Sequence, residues 1–267
     1  MDGQNVDGTL SQQDVEFLSH YLAPELLTRA QMEQMSKYFS ETLMLQLDPF
    51  LCRDFAEKLK DYIAAFKHGE GGNNGSKSMP SEWKTARSPE IHRYLYLETS
   101  VAATKHPMAP ILQLLQELLP SYAFKKWLAL VTGFAPSDII SQHAIARWFR
   151  RGLDYILNNT HDKGQSQLSY TLDMTPTNSH HAYTSGACDI SGEESYMPAE
   201  SDAADLLFAG KTITQQQGGR TGCKIPMSWN KLSVILLCDG MQNFVKYVSH
   251  AASSDRWDIK GKVEIRS

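Results

Sequence analysis

FVKYVSHAASSDRWDIKGKVEI, residues 244–265, decides the fold. Two runs rich in β-branched and aromatic residues, Phe244–Ser249 and Trp257–Ile265, flank the polar turn HAASSD. Strand periodicity sends successive side chains to opposite faces. Phe244, Val248 and Trp257 then belong to apolar faces, with Lys246, Ser249 and Lys260 largely on the other. The two runs are expected to form a closing hairpin with Trp257 as its main anchor.

Further runs of the same kind precede this one. His143 to Phe149, Tyr155 to Asn158, Leu168 to Met174 and Lys231 to Cys238 read as strands. Turn-rich stretches such as NNTHDKGQSQ, TPTNSHH and QQQGGRTG separate them. The first half differs. Phe17, Leu18, Tyr21 and Leu22 share a helical face that stops before Pro24, and Leu27, Met32, Met35 and Phe39 follow at near-helical spacing. Leu43, Leu45 and Leu47 alternate as in a strand, and Arg53 to Phe66 aligns Phe55, Leu59, Tyr62, Ile63 and Phe66 on one helical side. Gly69 to Ser81 has no apolar period and reads as a mobile loop. Pro110 can open a helix carrying Ile111, Leu112, Leu115, Leu118 and Leu119. Ser121 can cap another, through Phe124 and Trp127 to Gly133. With helices first and strands after, there is no βαβ rhythm. A mainly β sandwich or jelly-roll with a helical layer on one side is expected.

The chain has 267 residues, 42% hydrophobic and 21% charged, with a net charge of −4. No basic excess favours direct nucleic-acid binding, and no run of about 18 apolar residues offers a membrane span. The polar start, MDGQNVDGTLSQQD, does not read as a secretory signal, having no apolar run. Cys52, Cys188, Cys223 and Cys238 form no CxxC pair and read as reduced thiols of a cytoplasmic or nuclear protein.

Three passages carry a family resemblance. LMLQLDPFLCRDFAEKLKDYI at 43–63 looks like the strand, turn and helix that begin many Fe(II)/2-oxoglutarate oxygenase domains. RWFRRGLDYIL at 147–157 and the 244–265 stretch resemble one particular domain, with LDMTPT at 172–177 and SGEESYM at 191–197 in the expected order between them. That domain is the C-terminal half of the ribosomal prolyl hydroxylases (prolyl 3,4-dihydroxylases). It is the degenerate "oxoglutarate and iron-dependent oxygenase degradation C-terminal" domain of oxygen-sensing fungal members.

The resemblance implies a helical connector over 1–42 and a double-stranded β-helix (jelly-roll) with packed helices over 43–267. It also implies a parent enzyme whose N-terminal half uses Fe(II), 2-oxoglutarate and ascorbate to hydroxylate a proline of a ribosomal protein. The C-terminal half would have no cofactor of its own. It would brace the catalytic half and act in oxygen-linked control of transcription-factor degradation, in the cytoplasm and nucleus.

The residues bear on the iron site directly. Such a site needs two histidines and a carboxylate on one metal face. The chain contains no His-x-Asp or His-x-Glu. His161-Asp162 are adjacent, so on a strand they would point apart. The resembling enzymes carry Gly-x-x-Tyr-x-x-His-x-Asp; with Gly152 and Tyr155 matched to it, Asn158 and Thr160 stand where the ligands should be. If Arg256 matches the arginine that pairs with 2-oxoglutarate, Val245 or Lys246 replaces the far histidine. Arg256 could hold a dicarboxylate or make a buried or rim salt bridge with Asp258 or Asp154. His180-His181 and His250 are poor metal candidates. A stand-alone dioxygenase with an unorthodox metal site and a small-molecule sensor using Arg256 remain the alternatives.

Overall fold

The computed structural model describes residues 9–65, 82–88, 91–98, 109–160, 167–176, 192–198, 223–237, 241–252 and 254–266. The loop expected at 69–81, His161-Asp162, His180-His181, Cys188 and Cys238 lie outside them. Cys52 and Cys223 are free thiols.

Helix ends form where the sequence places their caps. The Ser121 hydroxyl accepts from Phe124 N at 3.0 Å, and Gly133 closes the same helix at φ 77°, a left-handed conformation that costs glycine little. The helices are α1 (Gln12–Ser19), α2 (Arg29–Thr42), α3 (Arg53–Ala64), α4 (Pro110–Gln113) and α5 (Tyr122–Thr132). A 3-10 turn, Pro24–Leu27, precedes α2, and a π-helical turn, Leu114–Leu118, continues α4. The first helix ends earlier than the apolar spacing implies. Tyr21 and Leu22 lie beyond it, buried, because Leu22 bridges to Leu51.

The strands are β1 (Met44–Leu47), β2 (Lys84–Ser88), β3 (His92–Leu97), β4 (Ile139–Phe149), β5 (Tyr155–Thr160), β6 (Gln167–Met174), β7 (Glu194–Pro198), β8 (Cys223–Ile225), β9 (Trp229–Leu237), β10 (Met241–Val245) and β11 (Arg256–Ile265). They join antiparallel in the order β1-β9-β6-β11-β4-β3-β5-β10-β7-β8, with β2 on β3. The sheet curls, since Ile225 of β8 packs against Ile235 and Leu237 of β9, near the far end of that order. This is the expected jelly-roll with a helical layer. Strands β2 and β3 fall in the helix-rich half, so helices and strands interleave there.

One expectation is corrected. Phe244–Ser249 and Trp257–Ile265 do not form a hairpin. Strand β10 pairs with β5 and β7, whereas β11 lies between β4 and β6. The chain therefore passes from one side of the barrel to the other between β10 and β11. Residues 246–249 are not strand; Val248 O instead accepts from Gly152 N at 2.7 Å.

Alternation along β11 does hold, but between two buried faces. Trp257, Ile259, Val263 and Ile265 enter a core shared with α1–α5, β1, β3, β4, β6 and β9. Within it Trp257 stacks on Trp148 at 4.5 Å and meets Trp83 edge-on at 5.5 Å. Gly261 belongs to this face because a Cβ there would lie 1.9 Å from Cζ of Tyr170. The opposite face, Arg256, Asp258 and Lys260, points into the barrel and is also buried.

Candidate functional site

The barrel interior is layered. One end is apolar: Phe149, Ile156, Val245, Val248 and Ala252, with Tyr94 packed against them. The other end is a second apolar group of Tyr196, Ile225, Ile235 and Leu237. Charged groups buried on the same inward strand faces include Arg147 of β4, Asp173 of β6, Glu194 of β7, and Arg256, Asp258 and Lys260 of β11.

Strand register brings these charges together. Asp258 lies opposite Arg147 on one side and Asp173 on the other, and Lys260 lies opposite Thr171. Arg147 grips Asp258 through two nitrogens, at 2.6 and 3.0 Å. Arg256 Nε donates to the same carboxylate at 2.7 Å, and its Nη1 donates to Gly192 O. Lys260 Nζ donates to Glu194 at 3.0 Å, to Thr171 Oγ1 at 3.0 Å and to the Tyr196 hydroxyl. Glu194 also accepts from Asn243 at 3.0 Å, Arg147 at 3.3 Å and Thr171 at 2.7 Å. Buried charges persist only when paired and hydrogen-bonded, and this set largely meets that condition.

Two carboxyls diverge in consequence. Burial opposes ionisation of Glu194, but Lys260, Arg147 and Arg256 outweigh it and hold the carboxyl well below its usual range. Asp173 goes the other way. Burial pushes it up, Arg256 pulls it back, and Asp258 and Glu194 raise it further, so that it reaches about 8. Like charges directly across a ladder are unfavourable, and a neutral Asp173 opposite Asp258 removes that repulsion. Its Oδ1 lies 3.4 Å from Arg256 Nη2, yet neither atom completes a hydrogen bond.

The sequence-derived positions distribute around this set. Arg256 is wholly buried and pairs with Asp258, while Asp154 pairs with Arg150 and Arg93 instead. Val245 is buried in the apolar end, opposite Ile156 and Glu194. Lys246 N donates to Glu193 O at 2.9 Å, outside the charged layer. Asn158 and Thr160 are the β5 positions two and four residues beyond Ile156, with Thr160 opposite Gln242. Tyr155 is half-buried opposite Arg93, and Phe244 is half-buried opposite Ser195. Gly152 has φ 69°, and a Cβ on it would lie 2.0 Å from the exposed His250 ring. Trp257 is on the helix side of the sheet and takes no part in the interior.

Arg147, Asp173 and Glu194 were not singled out by sequence reasoning. Only Asp173 carries a signal, alternation: it recurs with Ser169 and Thr171 at every second position of β6, as Arg256, Asp258 and Lys260 do on β11. Among the described residues no group of three or more His, Cys, Asp or Glu is placed to hold a metal ion, and no helix is long and apolar enough to cross a membrane.

The family described as oxoglutarate and iron-dependent oxygenase degradation C-term matches residues 13–267. The chain belongs to this family. It is 29% identical to a prolyl 3,4-dihydroxylase of Ostreococcus tauri over 263 residues, covering 92% of this chain and 47% of that protein. The chain thus spans about half the length of that relative. Among solved structures it is similar to a prolyl-4-hydroxylase of Pseudomonas putida, with 10% identity and a TM-score of 0.53 over 88% of this chain and 99% of the other. It is also similar to a Trichoplax adhaerens prolyl hydroxylase in complex with a hypoxia inducible factor oxygen degradation domain peptide fragment. There the identity is 10% and the TM-score 0.52, over 97% of this chain and 95% of the other. These likenesses establish the double-stranded β-helix of the 2-oxoglutarate/Fe(II) oxygenases as the fold of this degradation C-terminal domain.

Proposed function

We propose that this chain is the non-catalytic C-terminal domain of a 2-oxoglutarate/Fe(II)-dependent prolyl hydroxylase, a module that braces the catalytic half and recruits proteins. The observation that carries this reading is the buried charge layer. An oxygenase barrel needs its interior for iron and a dicarboxylate. Here that space holds Arg147, Asp173, Glu194, Arg256, Asp258 and Lys260, satisfied chiefly by one another. A 2-oxoglutarate carboxylate approaching Arg256 would have to displace Asp258 from a 2.7 Å contact. Iron would have to accept Val245, an apolar side chain in an apolar layer, where the resemblance expects a histidine. The residues present do not fit either group, so no oxidation step is assigned to this domain.

Fe(II), 2-oxoglutarate and ascorbate then belong to the other half of the parent protein. Oxygen-linked control of transcription-factor degradation, a ribosomal-protein substrate and a cytoplasmic and nuclear location come with the family reading. The test is reconstitution. This chain and the remaining half of its full-length protein, expressed separately, should co-elute as one complex. Prolyl hydroxylation should reside in the other half, and this chain alone should not turn over 2-oxoglutarate. Turnover by this chain alone would overturn the proposal.

A further inference from the structure

Glu194 differs from the other carboxylates in the way it is supplied. Asp258 shares a strand with Arg256, two residues away, and is a local partner. Glu194 comes from β7, which pairs with β10 and β8. The groups that receive it come mainly from the other side of the barrel: Arg147 of β4, Thr171 of β6, and Arg256 and Lys260 of β11, with Asn243 of β10. All five are at most 9% exposed, and Glu194 itself is 0% exposed. Its Oε1 accepts from Lys260, Asn243 and Arg147, and its Oε2 accepts from Thr171 with Arg256 at 3.8 Å. Three cations and two neutral donors therefore converge on one carboxylate delivered from outside their own sheet region. Asp258 already serves both arginines, so without Glu194 the shell would hold three cations against Asp258 and the mostly protonated Asp173, an excess of buried positive charge that is costly.

We propose that Arg147, Thr171, Asn243, Arg256 and Lys260 form a carboxylate-binding site, that Glu194 is its tethered ligand, and that the site takes a small external monocarboxylate when the Glu194 side chain is removed. The size of that ligand follows from the covalent structure. Glu194→Ala deletes a CH2–COO⁻ fragment, which is acetate less one hydrogen. Acetate restores both the volume and the oxygens; formate restores only the oxygens, and chloride neither. In the native chain the site is closed to outside anions by its own glutamate. The inference goes beyond the interaction-domain reading and does not depend on it, because it concerns the shell whether or not partners are recruited.

The experiment is thermal denaturation of Glu194→Ala in sodium acetate, formate and chloride at matched ionic strength, beside wild type and Glu194→Gln. A ligand that binds only the native state raises its midpoint as concentration grows. For Glu194→Ala, acetate should raise the midpoint by on the order of 5 °C over chloride, with formate in between. Wild type and Glu194→Gln, whose sites stay filled, should show no acetate-specific rise. If Glu194→Ala does not fold unaided, refolding from urea should give soluble protein in acetate and not in chloride. Equal midpoints in acetate and chloride, an equal acetate effect on wild type, or equal failure to refold in both salts would each overturn the proposal.

Discussion

Trp257 and Arg256 are neighbours on β11 that face opposite ways, so substituting each in turn interrogates the two buried faces separately. Trp257 is 3% exposed, stacked on Trp148 and edge-on to Trp83. Truncating a buried Trp to Ala typically costs about 3–5 kcal/mol through lost transfer energy and the cavity left behind. The loss of two ring contacts places this case toward the upper end. A domain's net stability is only about 5–15 kcal/mol. At roughly 2–4 °C per kcal/mol for a chain near this size, Trp257→Ala should lower the thermal midpoint by about 6–20 °C. Arg256→Ala should be nearly as severe. It leaves Gly192 O without its donor and strips buried Asp258 of one of the two guanidinium groups that hold it. Breaking a buried pair in this way costs about 3–5 kcal/mol. Thermal and urea denaturation, both followed by circular dichroism, read the two variants against wild type. A Trp257→Ala midpoint equal to wild type would place the ring on the surface, as a partner-binding hot spot. A wild-type midpoint for Arg256→Ala would refute the charge layer.

Asp173 predicts a pH dependence. Its folded-state pKa of about 8 lies above the ordinary 3.8, so the native state binds the extra proton. The associated stabilisation is complete below about pH 4 and is lost as pH rises through about 8. Asp173→Asn keeps the shape and stays neutral, so its stability relative to wild type should increase from pH 5 to pH 8.5; a constant difference across that range in urea titrations contradicts the assignment. Gly261→Ala should destabilise by about 1–3 kcal/mol through overpacking against Tyr170, and Tyr170→Ala in the same chain should cancel part of that cost, which a double-mutant denaturation cycle measures.

Local chemistry was legible in the sequence. Ser121, Gly133 and Pro110 sit where capping rules put them, and the apolar residues of α3 and α5 reach the core. The indole of Trp257 is buried in the core, against Trp83 and Trp148 rather than across a hairpin. The hairpin itself misled because consecutive strands usually pair, and nothing in HAASSD distinguishes a tight turn from a crossing between opposite sides of a barrel. Strands β2 and β3 give no clear signal, because KTARS has no large apolar residue and the apolar part of HRYLYL is a four-residue run without alternation. The charge layer was hidden for a related reason. Arg256, Asp258 and Lys260 have the pattern of a solvated face on a one-sided antiparallel strand. Only the curl of the whole sheet, with β7 facing β11, turns that face inward. Glu194 stands beside Glu193 in SGEESYM, and strand placement alone separates the buried one from its neighbour.

Titration of the purified chain with Fe(II), and with Mn(II) in its place, in the presence of 2-oxoglutarate tests the central claim most directly. With Val245 in an apolar layer and Arg256 committed to Asp258, the chain should show no stoichiometric metal uptake and no 2-oxoglutarate-dependent increase in affinity. Micromolar one-to-one binding, abolished by substituting His161 or Asp162, would contradict it.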